Sequence, residues 1–297
     1  MRAGLGRWLL LLALYPVLVS AASHQLEKEF QNPPPSARPW VYWFWLNGNI
    51  TSNGITADLE AMKRVGIGGV LIMEVDQGAP VGPVDFMSAR WRELFKHVVA
   101  QARRLHIEVN MNNDAGWNGS GGPWIRPEQS MQKVVFSETN VAGPLHFDAV
   151  LPKPDVVAGY YEDIRLLAFP KVGAYRIPDI KTKAAYDIGY TGPFVETNLP
   201  AEMVIERGRE IDLSAQMDSE GRVTWDVPEG EWTLLRIGHT CTGVENAPAP
   251  KSGRGLECDK LSKEGIEASF SGMMAKLAAD NGLNSSPKMR RAIGGLV

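Results

Sequence analysis

The chain has 297 residues, 44% of them hydrophobic and 22% charged, and a net charge of -3. That balance is ordinary for a folded globular chain and excludes a disordered or collagen-like one. It supplies no basic field for nucleic acid and no polybasic patch for an anionic membrane surface.

In chain order, Arg2 and Arg7 precede the apolar run from Trp8 to Val19, and the small residues Ser20, Ala21 and Ala22 follow. Charged, then apolar, then small is the order of an export signal, read here as residues 1–22, with a periplasmic or extracellular destination. The apolar run is roughly 12 residues against the ~20 that a bilayer requires, so no stable membrane span is expected after cleavage. An uncleaved anchor is the alternative. Gln31 to Pro39 is a Pro-rich lead-in without periodicity, expected to be extended.

Trp40 to Leu46 is continuously apolar, which predicts a strand buried on both faces, as in a parallel sheet. Ile55, Leu59, Met62 and Val65 recur at helical spacing, and Gly66 is placed to close that helix. Val70 to Val75 is a second buried strand. Ser88 caps a second helix, whose apolar face is Trp91, Leu94, Phe95, Val98, Val99, Ala102 and Leu105. Ile107 to Met111 is a third strand. Strand, helix, strand, helix, strand predicts a parallel sheet built from βαβ units.

The texture changes after Glu128. Lys133–Val141, Val156–Phe169, Met203–Glu210, Arg222–Val227 and Trp232–Gly238 read as short strands separated by Gly, Pro, Asp and Asn turns. They predict a β-rich subdomain, read as a small sandwich. Asn246 to Lys251 is a Pro-rich return. One further helix is expected, with Ser262 as its cap, Ile266, Phe270, Met273, Met274 and Leu277 as its face, and Asn281-Gly282 as its end. Leu283 to Val297 shows no period and is read as an irregular tail.

The fold class that follows is α/β: a partial (β/α)8 TIM-type barrel with an inserted β-rich subdomain. Residues 23–130 would form the first part of the barrel, 131–245 the insert and 246–282 the return to the barrel. A closed barrel of this kind needs about 250 residues. Without signal and insert, roughly 160 residues are left, enough for about four βα units. The sheet is therefore expected to be open, or the chain to be the front part of something longer.

Polar and aromatic residues gather where the strands end, which is where a βα array carries its site. The first strand delivers Trp43, Trp45, Asn47 and Asn49. Indole faces pack on the C–H faces of sugar rings, and side-chain amides bond hydroxyls. Side chains alternate in direction, so about half of these aromatics face the core, and Asn47-Gly48-Asn49 also reads as a turn. Glu74 and Asp76, at the end of the second strand, share a direction. They could bind a metal, orient a sugar or move protons, or could simply be a solvated strand end. The third strand ends in Asn112-Asn113-Asp114-Ala-Gly-Trp117-Asn118-Gly-Ser-Gly-Gly-Pro-Trp124. Amides, a carboxylate, two indoles and clustered glycines suit a sugar-facing loop, with a tight structural loop as the alternative. No Gly-Lys-Ser/Thr ending makes it a phosphate loop. Glu257 and Asp259 precede the last helix and either face the site or favour that helix's N-terminus.

Cys241 and Cys258 either pair as a disulfide in an exported protein or are plain buried thiols; no zinc spacing is present. The histidines show no metal spacing, and His97 and His106 look like helix-surface residues. Asn49, Asn118 and Asn284 stand in Asn-X-Ser/Thr sequons.

Several segments together carry a resemblance. They are Pro34–Pro39, Asn47-Gly-Asn-Ile50, Gly54–Met62, Gly66-Ile-Gly-Gly69, Asn113-Asp-Ala-Gly-Trp117, Ser120–Ile125 and Gly255-Leu-Glu-Cys-Asp-Lys260. In combination they resemble the front part of glycoside hydrolase family 106, whose members are exported α-L-rhamnosidases. The resemblance covers Phe30 to Asn281. It implies a (β/α) barrel with appended β domains, inverting hydrolysis of terminal α-L-rhamnose from a rhamnose-containing glycan, and a calcium ion near the sugar. Inversion needs one carboxylic acid and one carboxylate that activates water, and calcium takes oxygen ligands. The family's acid and base resemble residues on strands beyond the helix that ends at Gly282, so neither role is assigned here. Trp43, Asn47, Glu74, Asp76, Asn113, Asp114, Trp117, Glu257 and Asp259 are expected as sugar-pocket or metal-neighbour positions. The expected function is an α-L-rhamnosidase-type hydrolase in truncated form, lacking its acid and base. The alternative is a non-catalytic carbohydrate-binding protein.

Overall fold

The structure, a computed structural model, describes residues 25–173 and 203–282. The export signal, the tail from Leu283 and the sequon at Asn284 lie outside the described residues. The chain is mixed α/β and divides into two compact units. One comprises Met1–Pro123, Asn246–Arg254 and Phe270–Val297; the other comprises Trp124–Glu245 and Gly255–Ser269.

The first unit is built on a parallel sheet of β1 (Trp40–Leu46), β2 (Gly69–Val75) and β3 (Glu108–Ala115), in that spatial order. Helix α1 (Ser52–Arg64) joins β1 to β2, and α2 (Ala89–Leu105) joins β2 to β3. Both helices begin where the sequence offers a hydroxyl. Thr51 accepts from the Gly54 N–H, and Ser88 accepts from the Trp91 N–H at 3.2 Å. Each bond satisfies one of the four N–H groups that a helix start leaves without a partner. α1 ends at Val65, followed by Gly66 in the left-handed region (φ +84). α2 ends instead on His106, a non-glycine in the same region.

Apolar periodicity decides what the helices cover. Trp91, Leu94, Phe95, Val98 and Val99 of α2 and Ile55 and Leu59 of α1 are buried, together with Trp43, Trp45, Val70 and Ile72 of the sheet. β1 departs from the expectation of burial on both faces. Its alternate residues Trp40, Tyr42, Phe44 and Leu46 are 43, 65, 47 and 40% exposed. The physical reason is that the described helices supply one apolar face, and alternation sends every second side chain away from it. β3 runs past its expected end at Met111 to Ala115. The register slips between Ile72↔Met111 and Glu74↔Ala115, so Asn112, Asn113 and Asp114 form a bulge. The expected last helix is two, α3 (Lys263–Gly272) and α4 (Met274–Asp280), broken at Met273 with φ -128 and ψ -70. Ser262 does accept from the Gly265 N–H at the start of α3, at 3.2 Å.

The second unit holds one antiparallel sheet in the order β4-β7-β5-β6. Its strands are β4 (Gln132–Val150), β5 (Glu162–Pro170), β6 (Ile211–Asp212) and β7 (Arg222–Cys241). Among the described residues this is a single sheet and not a sandwich. The expected strands over 222–227 and 232–238 are one strand, because the Pro228–Glu229 turn signal is absorbed as a bulge opposite Gly143–Leu145. Met203–Glu210 is not a strand. The core is Leu151, Leu166, Ala168, Leu213, Val223, Val227, Trp232 and Leu234. Cys241 and Cys258 are both buried free thiols, so the unpaired alternative holds.

Candidate functional site

The carboxyl ends of β1, β2 and β3 are laced together by their own loops and by the segment 246–254. Asn47 donates its side-chain amide to the Ala79 carbonyl at 2.7 Å and to Asp76 Oδ1 at 3.3 Å. Asn49 donates to the carbonyls of Pro80 at 2.7 Å and Leu46 at 2.9 Å. Gly82 N–H donates to the Asn47 carbonyl. Gly48 is at φ +77, and a Cβ there would stand 2.3 Å from the Val84 carbonyl oxygen. Only glycine permits that approach. From the other side, Asn246 donates to the Ala115 carbonyl at 2.7 Å and the Gly253 carbonyl at 3.0 Å. Asp76 N–H and Trp117 N–H donate to the Pro248 and Ala247 carbonyls. The Asn residues read as sugar ligands or turn formers thus brace the rim. Asn118 does the same, accepting from Ala247 N–H at 2.9 Å, so two of the three sequon amides are engaged in loop bonds.

Two surfaces come out of this lacing. The first is an open cleft of about 410 Å³ lined by Asn47, Asp76, Val81, Gly82, Val84, Asp85, Pro250, Lys251, Ser252 and Arg254. Its volume lies in the range of small-molecule sites, roughly 300–1,000 Å³. It presents two carboxylates and two cations. Asp76 Oδ1 also accepts from Gly78 N–H at 3.1 Å, and Ser252 Oγ accepts from Phe86 N–H at 2.9 Å. Polar groups held by loop bonds in this way can meet hydroxyls without reorganising. The second surface is aromatic. Trp117, 47% exposed, sets its ring edge-on to Phe44 with centroids 5.9 Å apart, and Phe44 stacks on Tyr42 at 6.0 Å. Asn113, half-buried in the β3 bulge, and Asn112 stand beside Trp117 in sequence.

The expected site residues therefore separate. Asn47, Asp76 and Trp117 belong to the rim, and Asn113 is half-buried in the β3 bulge. Trp43 does not reach it: the side chain is buried, and its indole N–H donates to Asp58 of α1 at 3.1 Å. Alternation puts it on the helix side of the sheet. Asp114 is also closed off, at 0% exposure. Its Oδ1 accepts from the Asn112 amide at 2.6 Å and from Gly119 N–H at 3.1 Å, which fixes the β3 loop. Glu74 is a third correction. It was expected to share a direction with Asp76, but its carboxyl is 0% exposed and accepts from the Trp91 indole at 2.9 Å. The strand ends at Val75, so alternation does not carry through to Asp76. Burial pushes the Glu74 pKa up to about 7, against the opposing pull of the Trp91 indole and the Gly48 backbone. Glu257 and Asp259 lie in the second unit. Glu257 is ion-paired to Lys260, and Asp259 accepts from Leu261 N–H at 2.9 Å ahead of α3.

The residues that the sequence reading missed are Tyr42, Phe44, Asp85, Lys251 and Arg254. Lys251 ends the Pro-rich return and Arg254 lies three residues beyond it. Two cations, Lys251 and Arg254, beside Pro248, Pro250 and Gly253, next to a return into the fold, were the available signal.

Comparison with known proteins gives the class directly. Residues 31–187 and 173–289 match the profile of glycoside hydrolase family 106, described as alpha-L-rhamnosidase. The chain belongs to that family. It is 42% identical over 250 residues to a Formosa agariphila protein provisionally named beta-glucuronidase, an alignment covering 84% of this chain and 22% of that one. The fold is shared with the rhamnosidase from Novosphingobium sp. PP1Y, at 24% identity and a TM-score of 0.69, over 89% of this chain and 38% of the other. The chain thus spans well under half the length of either relative.

Proposed function

We propose that this chain acts in hydrolysis of terminal α-L-rhamnose from a glycan, with the strand-end rim as its sugar-facing surface. The observation that carries the reading is Trp117. It is a large indole left 47% exposed at the end of β3, in a loop braced on both sides. An exposed, immobilised indole is a ready platform for a sugar ring, and it loses little conformational entropy on binding. The βα order and the uncovered second face of β1 support a partial (β/α)8 barrel.

Inverting hydrolysis requires two carboxyl groups roughly 6.5–9.5 Å apart, one protonated and one ionised. Glu74, whose carboxyl burial pushes up to about 7, is closed to solvent. No described residue is therefore given the acid or base role. The second reading is carbohydrate binding without turnover, on the exposed indole of Trp117. Calcium is part of the proposal through the family resemblance alone. The cleft supplies two carboxylates, Asp76 and Asp85. A calcium ion takes about six to eight oxygens, and among the described residues no three His, Cys, Asp or Glu side chains gather for a metal. These residues do not complete a calcium shell. We also propose export, on the order of charged, apolar and small residues in 2–22; no helix among the described residues is long and apolar enough to cross a membrane.

The test is a paired assay on the folded chain, using an aryl α-L-rhamnoside, an aryl β-glucuronide (after the name carried by the relative) and calorimetric binding of L-rhamnose. Rhamnoside cleavage supports the enzyme reading. Rhamnose binding without cleavage, lost in Trp117→Ala, supports the binding reading. Neither cleavage nor binding sinks both.

A further inference from the structure

The strand-end cleft, all of it within the first unit, divides its charges by segment. Its cations, Lys251 and Arg254, come with Ser252 from the 3₁₀ turn Lys251–Gly253 and the residue after it. Three residues complete such a turn, so Lys251 and Arg254 emerge on the same side of it. Its acids, Asp76 and Asp85, come from the β2–α2 loop. Among the described residues, Lys251, Arg254 and Asp85 have no ion-pair partner. The turn itself is held from several directions. Gly253 N–H donates to the Pro250 carbonyl, the Asn246 amide donates to the Gly253 carbonyl at 3.0 Å, and Phe86 N–H donates to Ser252 Oγ at 2.9 Å. A Cβ on Gly253 would stand 2.8 Å from Ala115 Cβ and from the Phe86 ring, so the turn lies directly on the end of β3. Arg254 Nη2 donates back to the Ala249 carbonyl at 3.4 Å.

We propose that this cleft is a subsite for an acidic sugar: Lys251, Arg254 and the Ser252 hydroxyl take a carboxylate or sulfate substituent, while Asp76 and Asp85 take hydroxyls of the same sugar.

This assignment deepens the sugar-facing reading of the rim and rests on it; the glycan it names is an anionic one. Carboxylates accept from sugar hydroxyls. Asp85 makes no side-chain hydrogen bond among the described residues, and Asp76 is fixed through Oδ1 by the Asn47 amide and Gly78 N–H. For a neutral sugar these acceptors suffice, and two unpaired cations add nothing. An anionic substituent uses them. A guanidinium offers N–H donors in a planar fork that matches two oxygens of a carboxylate or sulfate, and an ammonium adds a compact charge. Ser252 Oγ already accepts from Phe86 N–H, so its O–H is left to donate from a position between the two cations in sequence. A free inorganic anion would meet the cations but would also be repelled by the two carboxylates lining the same cleft. A molecule that carries hydroxyls and an anionic group on one ring satisfies both sets, and that is the chemistry of a uronic acid or a sugar sulfate. Because the turn is already fixed, gathering its donors costs little ordering entropy on binding.

The experiment is calorimetric titration of the full chain with methyl glycosides: the α-L-rhamnoside, the β-D-glucoside, the β-D-glucuronide and the 6-sulfate of the glucoside, with inorganic sulfate as control. Glucoside and glucuronide differ only in the group at the end of the ring substituent, so their ratio reads the anionic contact. The expected result is that the glucuronide or the sulfated glucoside binds at least about tenfold tighter than the glucoside. The tighter of the two identifies the anionic group. That preference shrinks with added salt and disappears when Lys251→Ala and Arg254→Ala, both at exposed positions, are combined. Rhamnoside binding without any preference for the acidic glycosides overturns the proposal and leaves the rim reading standing. Binding of none of the glycosides overturns both. A preference that survives the double substitution, or inorganic sulfate binding as tightly as the acidic glycosides, also overturns the proposal. Should the double variant not fold, the salt series decides, and a preference indifferent to salt overturns it.

Discussion

Glu74 in the parallel unit and Arg236 in the antiparallel unit are both essentially sealed from solvent, at 0 and 1% exposure, but their surroundings differ in kind. Arg236 is met by Asp163, which accepts from Nε and Nη2 at 2.7 Å each, and by the Leu151 carbonyl at 2.9 Å. The Tyr161 ring lies 5.6 Å from its guanidinium carbon. The paired guanidinium holds the Asp163 carboxyl below the usual carboxylate range. Glu74 has no cation, and its carboxyl is pushed up to about 7. Burying a charge is expensive unless it is paired and hydrogen-bonded. One unit meets that cost with a partner, the other by holding its acid close to neutral.

The largest loss expected comes from breaking the paired case. Arg236→Ala removes a fully buried side chain and its bonds to Asp163, which is itself partly exposed, and should cost about 2–3 kcal/mol in chemical denaturation of the second unit. A loss below about 1 kcal/mol would show that the pair is a surface bridge in energetic terms.

Next is the unpaired case, read by its pH slope. The folded pKa of Glu74 is raised from 4.5 to about 7. Its proton-linked stability is therefore fully present below 4.5 and is lost as pH rises through 7. Asp163, with a lowered pKa, contributes above its ordinary value of 3.8, and that contribution is lost as pH falls through the folded pKa. The two units thus carry opposite slopes. Between pH 4.5 and pH 8, Glu74→Gln should gain on the unaltered chain by roughly 3 kcal/mol in urea midpoints. Parallel pH profiles for the two proteins would remove the contrast.

Smaller effects test the scaffold around it. Ser88→Ala deletes the cap of α2, the helix that brings Trp91 to Glu74, and should cost about 1 kcal/mol of thermal stability. Trp117→Ala, at an exposed position, should change stability by less than about 0.5 kcal/mol while abolishing any rhamnose affinity measured by calorimetry. A large loss of stability there would recast Trp117 as core.

The elements of the first unit were readable because each signal was local. Ser88 and the Trp91 to Leu105 stripe placed α2, and the Trp40–Leu46 run placed β1, close to their observed bounds. The β unit was harder. Its strands run 19 and 20 residues through a bulge, and pairing between β4 and β7 overrides the turn chemistry of Pro228 and Gly230. The candidate site was legible as a neighbourhood and not as a list. Asn47, Asp76 and Trp117 reach the rim, whereas Trp43, Glu74 and Asp114, also aromatic or acidic and at the same strand ends, face inward.

From its order of residues alone, this chain specified the βαβ series, the caps that start its helices, the family to which it belongs and the strand ends as the place to look. Tertiary structure alone decided which side chains at those ends meet solvent. Periodicity gives a residue's face relative to its neighbours, but which face is covered, and which buried acid has a cation beside it, depend on contacts between segments far apart in the chain. Asp163 and Arg236 are 73 residues apart in sequence, and Glu74 and Trp91 are 17 apart. No local pattern carries that information.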